Sequence, residues 1–225
     1  MNAILVRPNF DDATRYTFAF AEEILEWCRQ AGIDVVELAE GEAVKSRVEE
    51  ELKKGADLFI FYDHGSEDAL IGQDEQPVID LSNCNWLAGK DVYTLACLSA
   101  KKLGVEVWQQ KGRYWGYTEV VGFTTDALEE FKQSFNCGFA YLFIERVPHG
   151  TALDKARETF DKLATSLVSE GKIMAAIYMR KNRESLVDYN AHGPEENGNG
   201  GCLLGLLKLP GVLVKNLFAG KKTKA

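Results

Sequence analysis

His64 and Cys97 each follow an apolar run by two residues. The first run, Leu58–Tyr62, leads through Asp63 to His64-Gly65, and the second, residues 92–95, leads through Ala96 to Cys97. An imidazole and a thiol delivered from the ends of neighbouring strands are the parts of a cysteine nucleophile site. The thiolate is the reactive form, and a free thiol has a pKa of about 8.5, so such a site needs neighbours that lower it. Cys97 follows a strand and precedes a helix. An imidazole and the open N–H groups of a helix start are therefore both expected beside it. Gly65 permits a tight bend and brings its N–H close to a bound carbonyl. The N–H groups of Gly65 and Cys97 are the expected oxyanion hole, where one donor is worth about 3 kcal/mol.

The elements that must position these residues are legible as alternating patterns. Residues 3–7 (AILVR) predict a buried strand, broken by Pro8-Asn9. Asp11 or Asp12 then caps a helix over 13–31, with Phe18, Ala21, Ile24, Leu25 and Cys28 on one face and Gly32 at its end. Residues 33–38 predict a second strand, 44–54 a helix closed by Gly55, and 58–62 a third strand. Apolar strands alternating with helices mean a mostly parallel sheet covered on both faces, with its sites at the carboxyl ends of the strands. Between His64 and Cys97 the residues 69–72 and 77–80 predict a small hairpin, and 82–87 one or two helical turns. After strand four (92–95), a helix over 101–110 and a fifth strand over 114–123 are expected. Gly116 and Gly122 mark bends or close backbone approach there. Helical spacing then dominates in 126–145, 151–169 and 172–189.

Composition narrows the function classes. A net charge of -8 argues against a general nucleic-acid binder, which needs a basic face. Five cysteines without tight spacing, and no export signal at the start, predict reduced thiols in the cytoplasm and no zinc or other metal site. Cys28 and Cys137 fall on apolar helix faces and read as core, Cys84 as structural. His149 reads as a cap or surface residue, and His192 lies in a linker.

Tyr62-Asp63-His64-Gly65 and Leu95-Ala96-Cys97, with a hairpin between them, resemble the two signature segments of the caspase-fold cysteine peptidases. TEVVGFTTD after the cysteine strand is similar to the next strand of CHAT and gingipain-type members. The resemblance covers residues 1–190. It implies a caspase-like three-layer α/β sandwich with a mostly parallel central sheet and a helical C-terminal part. It further implies Cys97 as nucleophile, His64 as general base and acid, and the Gly65 and Cys97 N–H groups on the oxyanion. The reaction implied is peptide-bond cleavage through a thioester, without metal or organic cofactor. His64 and Cys97 are 33 residues apart, fewer than the roughly 50 of caspases. The cysteine segment is LACLSA, not QACRG, and Leu95 stands where clostripain-like members carry Asp. A CHAT- or gingipain-like member therefore fits better than a true caspase.

Asp11 and Asp12 lie in the first strand-to-helix loop, where clan members place residues that select the P1 side chain, and Asp126 begins a helix. Each also fits a helix cap. The expected organisation is a peptidase domain over 1–190, a Gly-rich linker over 191–201 and an apolar, basic tail over 202–225. The tail is too short and too broken to span a membrane. It reads as docked on the domain, or as a contact for a membrane surface or a partner. The expected partners are a protein or peptide substrate and a regulatory partner or activator. A non-catalytic caspase-like scaffold is the alternative class. A flavodoxin-like nucleotide binder ranks below both, because neither GxGxxG nor GxxxxGK[ST] is present.

Overall fold

The computed structural model describes residues 1–194, and the tail with most of the linker lies outside the described residues. Six strands form the central sheet: β1 (Asn2–Arg7), β2 (Asp34–Ala39), β3 (Leu58–Tyr62), β6 (Asp91–Leu95), β7 (Arg113–Tyr117) and β8 (Leu186–Asp188). A separate hairpin, β4 (Ala69–Ile71) with β5 (Pro77–Asp80), sits between β3 and β6 in sequence. The order across the sheet is β2-β1-β3-β6-β7-β8. The first five strands are parallel and β8 runs antiparallel at the edge. The fold is thus α/β with a mostly parallel sheet, as the apolar strand runs predict.

Alternate strand residues feed two cores. Leu5, Ile60, Tyr62, Tyr93, Leu95 and Trp115 pack with α1 (Asp12–Gln30), α4 (Leu128–Phe139) and α5 (His149–Ser169). Ile4, Val6, Phe59, Phe61 and Val92 pack with α2 (Lys45–Lys54), α3 (Leu103–Gln109) and the hairpin. Helices therefore cover both faces, and no central strand meets water on either side. The first core is aromatic. Tyr62, Tyr93 and Trp115 stack across adjacent strands at 6.4 and 5.6 Å. Two of its buried hydroxyls are satisfied: Tyr62 donates to Asn136 Oδ1 at 2.7 Å and Tyr93 to the Phe135 carbonyl at 2.6 Å. Gly138 lets α4 lie on Trp115, because a Cβ there would fall 2.2 Å from the indole.

Four sequence expectations change. The fifth strand ends at Tyr117 rather than running to 123, and 118–123 instead cross the carboxyl ends of the strands as irregular chain. The expected helix over 126–145 starts at Leu128 and widens into a π-helical turn at Ala140–Ile144. The helix over 172–189 is α6 (Ile173–Ser185) only, and Leu186–Asp188 turn into β8. Four or five apolar residues fit a helix face and a strand equally well, and here the open edge of β7 decides. The helix expected from 101 begins at Leu103, because residues 97–102 form turns.

Candidate active site

Parallel pairing brings the two segments that carry the reactive residues side by side. Tyr62 is opposite Leu95 in the β3–β6 ladder. Beyond that pair the Asp63 N–H bonds the Leu95 carbonyl at 3.1 Å, so the two segments stay adjacent past the strand ends. Gly65 fits that closeness: a Cβ on it would lie 2.8 Å from the Cys97 carbonyl oxygen and 2.9 Å from the Ala96 Cβ. The bridge between Gly65 and Leu70 runs through the carbonyl of His64 and the N–H of Ser66. The N–H of Gly65 therefore points away from β4.

The imidazole is held by the first helix. Asp11 is the N-cap of α1, and its Oδ1 accepts the N–H groups of Ala13 and Thr14 at 2.9 and 2.8 Å. Its other oxygen, Oδ2, lies 2.8 Å from His64 Nε2. Burial alone would raise the Asp11 pKa, but the Thr14 N–H and His64 outweigh it and hold the carboxyl below its ordinary value. An ionised carboxylate only accepts, so Nε2 supplies the proton of this contact. Phe10 packs on the ring, with centroids 5.6 Å apart. Asp11 was expected to face a substrate or to cap the helix. It caps, and it also holds the imidazole.

Cys97 does not meet the expectation of an acidified thiol. It is 2 % exposed, and burial pushes its pKa up to about 12. The Val121 and Cys97 backbone groups oppose this without offsetting it, and buried Asp63 adds a smaller push upward. The helix start that was expected to help is not adjacent, since α3 begins only at Leu103. The segment 118–123 lies over the sulfur. Val121 donates its N–H to Sγ at 3.3 Å, and its carbonyl lies 3.8 Å from the same atom. This strap is pinned on both sides. Leu98 donates to the Glu119 carbonyl at 3.1 Å, and Asn182 on α6 takes both polar groups of Gly122, at 3.0 and 2.7 Å. Leu98 itself holds φ of 62°, a left-handed conformation that branched side chains rarely adopt. Such strain beside a reactive residue persists only where its surroundings enforce it.

Beneath the strap is a cavity of about 10 Å³, the lower limit for one water molecule. Thr17, Asp63, Leu95, Ala96, Cys97, Val121, Phe123 and Phe135 line it. Asp63 Oδ1 accepts the His64 N–H at 2.5 Å, whereas the buried Oδ2 has no hydrogen-bond partner. Burial pushes the Asp63 carboxyl well above its ordinary value. Sequence reasoning passed over Asp63, Val121 and Asn182. Asp63 carried a signal, an acid at the end of an all-apolar strand, but Val121 and Asn182 are ordinary residues until the chain folds back.

The remaining candidates separate. Asp12 faces solvent and pairs with Arg15 at 2.7 Å. Asp126 is exposed in the turn ahead of α4, whose N-cap is Ala127, so it is neither a cap nor part of the cavity. His149 is the first residue of α5 and its Nδ1 lies 2.7 Å from Asp188 Oδ2, a tie between that helix and β8. The N–H of His192 bonds the Asp188 carbonyl at 3.1 Å, so the first linker residues fold back onto the sheet edge. Cys28 and Cys137 are core, as their helix faces predict, and Cys84 is buried. Among the described residues no cluster of acids, histidines and cysteines is arranged to hold a metal ion, and no helix is long and apolar enough to cross a membrane. The chain matches no protein-family model and no curated protein at significant similarity.

Proposed function

We propose that the chain is a cysteine endopeptidase with a caspase-like three-layer fold, nearer to CHAT and gingipain-type members than to true caspases. The carrying observation is that β3 and β6 pair in parallel and Gly65 packs against the Cys97 carbonyl beyond their ends, with the His64 imidazole tied to Asp11. The sheet order, with its antiparallel edge strand and helices on both faces, supports the same reading. In the reaction, His64 takes the Cys97 proton and the sulfur adds to the scissile carbonyl. The developing oxyanion faces the N–H groups of Gly65 and Cys97. Collapse breaks the C–N bond as the imidazolium gives its proton to the leaving amine, and a thioester remains. Water, deprotonated by the same imidazole, adds to the thioester, and its cleavage releases the carboxyl product and the thiol. The reaction needs no metal or cofactor, and its substrates are proteins or peptides in the cytoplasm.

The covered thiol makes the present conformation a resting one. Val121 must leave Sγ before substrate reaches it, and an activator or regulatory partner acts by displacing the strap. The same coverage also favours a second reading, a non-catalytic scaffold, because a thiol that is 2 % exposed and pushed to about 12 is inert as it stands. Peptidyl acyloxymethyl ketones distinguish the two by trapping opened molecules. The peptidase is expected to gain one adduct, located at Cys97 by mass spectrometry. Cys97→Ala abolishes it and His64→Ala slows it by about 100-fold or more. An adduct on Cys84 alone, or none, leaves the scaffold.

A further inference from the structure

Two buried hydroxyls hold the turn that carries Cys97, and neither belongs to the dyad. Ser99 is fully buried, and its Oγ donates to the Ala96 carbonyl at 3.1 Å. The same oxygen lies 3.3 Å from Thr94 Oγ1 on β6, which in turn bonds the Trp115 carbonyl of β7 at 3.0 Å. Tyr189, one residue past β8, donates its hydroxyl to the Ala100 carbonyl at 2.7 Å. Burial pushes that phenol up to about 12, so it keeps the proton it donates. The Tyr189 N–H bonds the Tyr114 carbonyl at 2.9 Å, and the Ala100 N–H bonds the Tyr117 carbonyl at 3.1 Å. Both ends of this clamp are therefore fastened to β7. Leu98, with its left-handed φ of 62°, sits between the gripped carbonyls of Ala96 and Ala100.

We propose that Ser99 and Tyr189 are positioning residues for the oxyanion: Ser99 aims the Cys97 N–H through the peptide group that joins Ala96 to Cys97, and Tyr189 holds the turn in which Ser99 stands. The proposal rests on the peptidase reading and deepens it. The Ala96 carbonyl and the Cys97 N–H are the two ends of one planar trans peptide and point opposite ways. A hydroxyl that grips the carbonyl therefore fixes the direction of the N–H. It also polarises the peptide and makes that N–H a stronger donor. The sulfur is reached by a separate path, since its contacts are with Val121 on the strap. Loss of the Ser99 hydroxyl thus weakens the tetrahedral adduct without disarming the thiol. Tyr189 acts one step further away, on the carbonyl that follows Ser99, and its loss has the same sign and a smaller size.

The test compares two reagents on the full chain, both read at Cys97 by mass. A peptide aldehyde adds through its carbonyl and places an oxygen on the oxyanion donors. The one used is the tightest of a panel that differs in the terminal side chain. Iodoacetamide alkylates the same sulfur by displacement and makes no oxyanion. Both wait for the strap to open, so opening cancels in the comparison. Ser99→Ala should weaken the aldehyde by about 30-fold or more and slow iodoacetamide by less than about threefold. Tyr189→Phe should weaken the aldehyde by about tenfold with the same small effect on iodoacetamide, and it carries the test alone if Ser99→Ala does not fold. Tyr141→Phe removes a comparable bond, to Thr159 at 3.0 Å, and should leave both reagents unchanged. Unchanged aldehyde affinity in the first two variants overturns the proposal and leaves the peptidase standing. So does a parallel fall with both reagents, or an equal loss in Tyr141→Phe. A wild-type chain that iodoacetamide labels at Cys97 but that captures no aldehyde of the panel overturns the peptidase reading, and the proposal with it.

Discussion

Asp11 carries two roles on one carboxylate, and a single substitution separates them. Asn caps a helix about as well as Asp, so Asp11→Asn should keep the bonds from Ala13 and Thr14 and cost under about 1 kcal/mol. It replaces the anion at His64 Nε2 with an amide that no longer fixes the proton on that nitrogen. The rate of adduct formation at Cys97 should then fall by about 10²–10⁴, while the urea midpoint hardly moves. A large stability loss with an unchanged rate would mean that the contact is only structural. His64, Gly65 and Cys97 were legible from residue type and local context, because a His-Gly and an Ala-Cys at strand ends are local patterns. Asp11 was legible as a cap, but its hold on the imidazole was not, since His64 lies 53 residues away. The raised pKa of Cys97 was not legible, because burial is a property of what folds over a residue.

At the level of elements, the strap is the feature that governs access. Its two anchors are of different kinds: the Leu98 N–H comes from the cysteine turn itself, and Asn182 comes from α6. Asn182→Ala removes both bonds to Gly122 and leaves its buried N–H and carbonyl unpaired. The variant should lose about 1–3 kcal/mol of stability. Local opening becomes easier by the same cause, so reaction of Cys97 with an aromatic disulfide reagent should speed up at least about tenfold. If the variant melts lower yet Cys97 reacts no faster, the strap is not the gate. The strap was read from sequence as the second half of a strand. The apolar, β-branched run through Val121 and Phe123 does suit a strand. Past Thr118 the chain instead bonds Leu98 through Glu119 and Asn182 through Gly122, the latter a partner 60 residues downstream. The bounds of α1 and α2, by contrast, came close, because Asp11, Gly32 and Gly55 punctuate the chain locally.

For the whole molecule, the buried thiols set a limit on alkaline stability. Burial pushes Cys28 up to about 11 and both Cys97 and Cys137 up to about 12, from an ordinary value of 9.0. Below 9.0 the folded and unfolded chains both keep these protons, and the contribution is pH-independent. Above it the unfolded chain releases them and the folded one does not, so stability falls as pH rises through the window from 9.0 to about 12. The urea midpoint should therefore drop between pH 8.5 and pH 10.5. The drop should be smaller in Cys28→Ala, although that variant is less stable at every pH for loss of packing. An equal drop in both would assign the effect to other groups. The sequence by itself determined the α/β class, the parallel core of the sheet and the segments that bring His64 and Cys97 to its carboxyl edge. Those follow from apolar runs, helical spacing and turn residues, which act over ten or twenty neighbours. Tertiary structure alone decided that β8 closes the edge, that Asp11 holds the imidazole, that Val121 covers the thiol and that Asp63 is left unpaired beside it. Each of these is a meeting of residues distant in the chain, so its energy is fixed by packing and desolvation that no local pattern records.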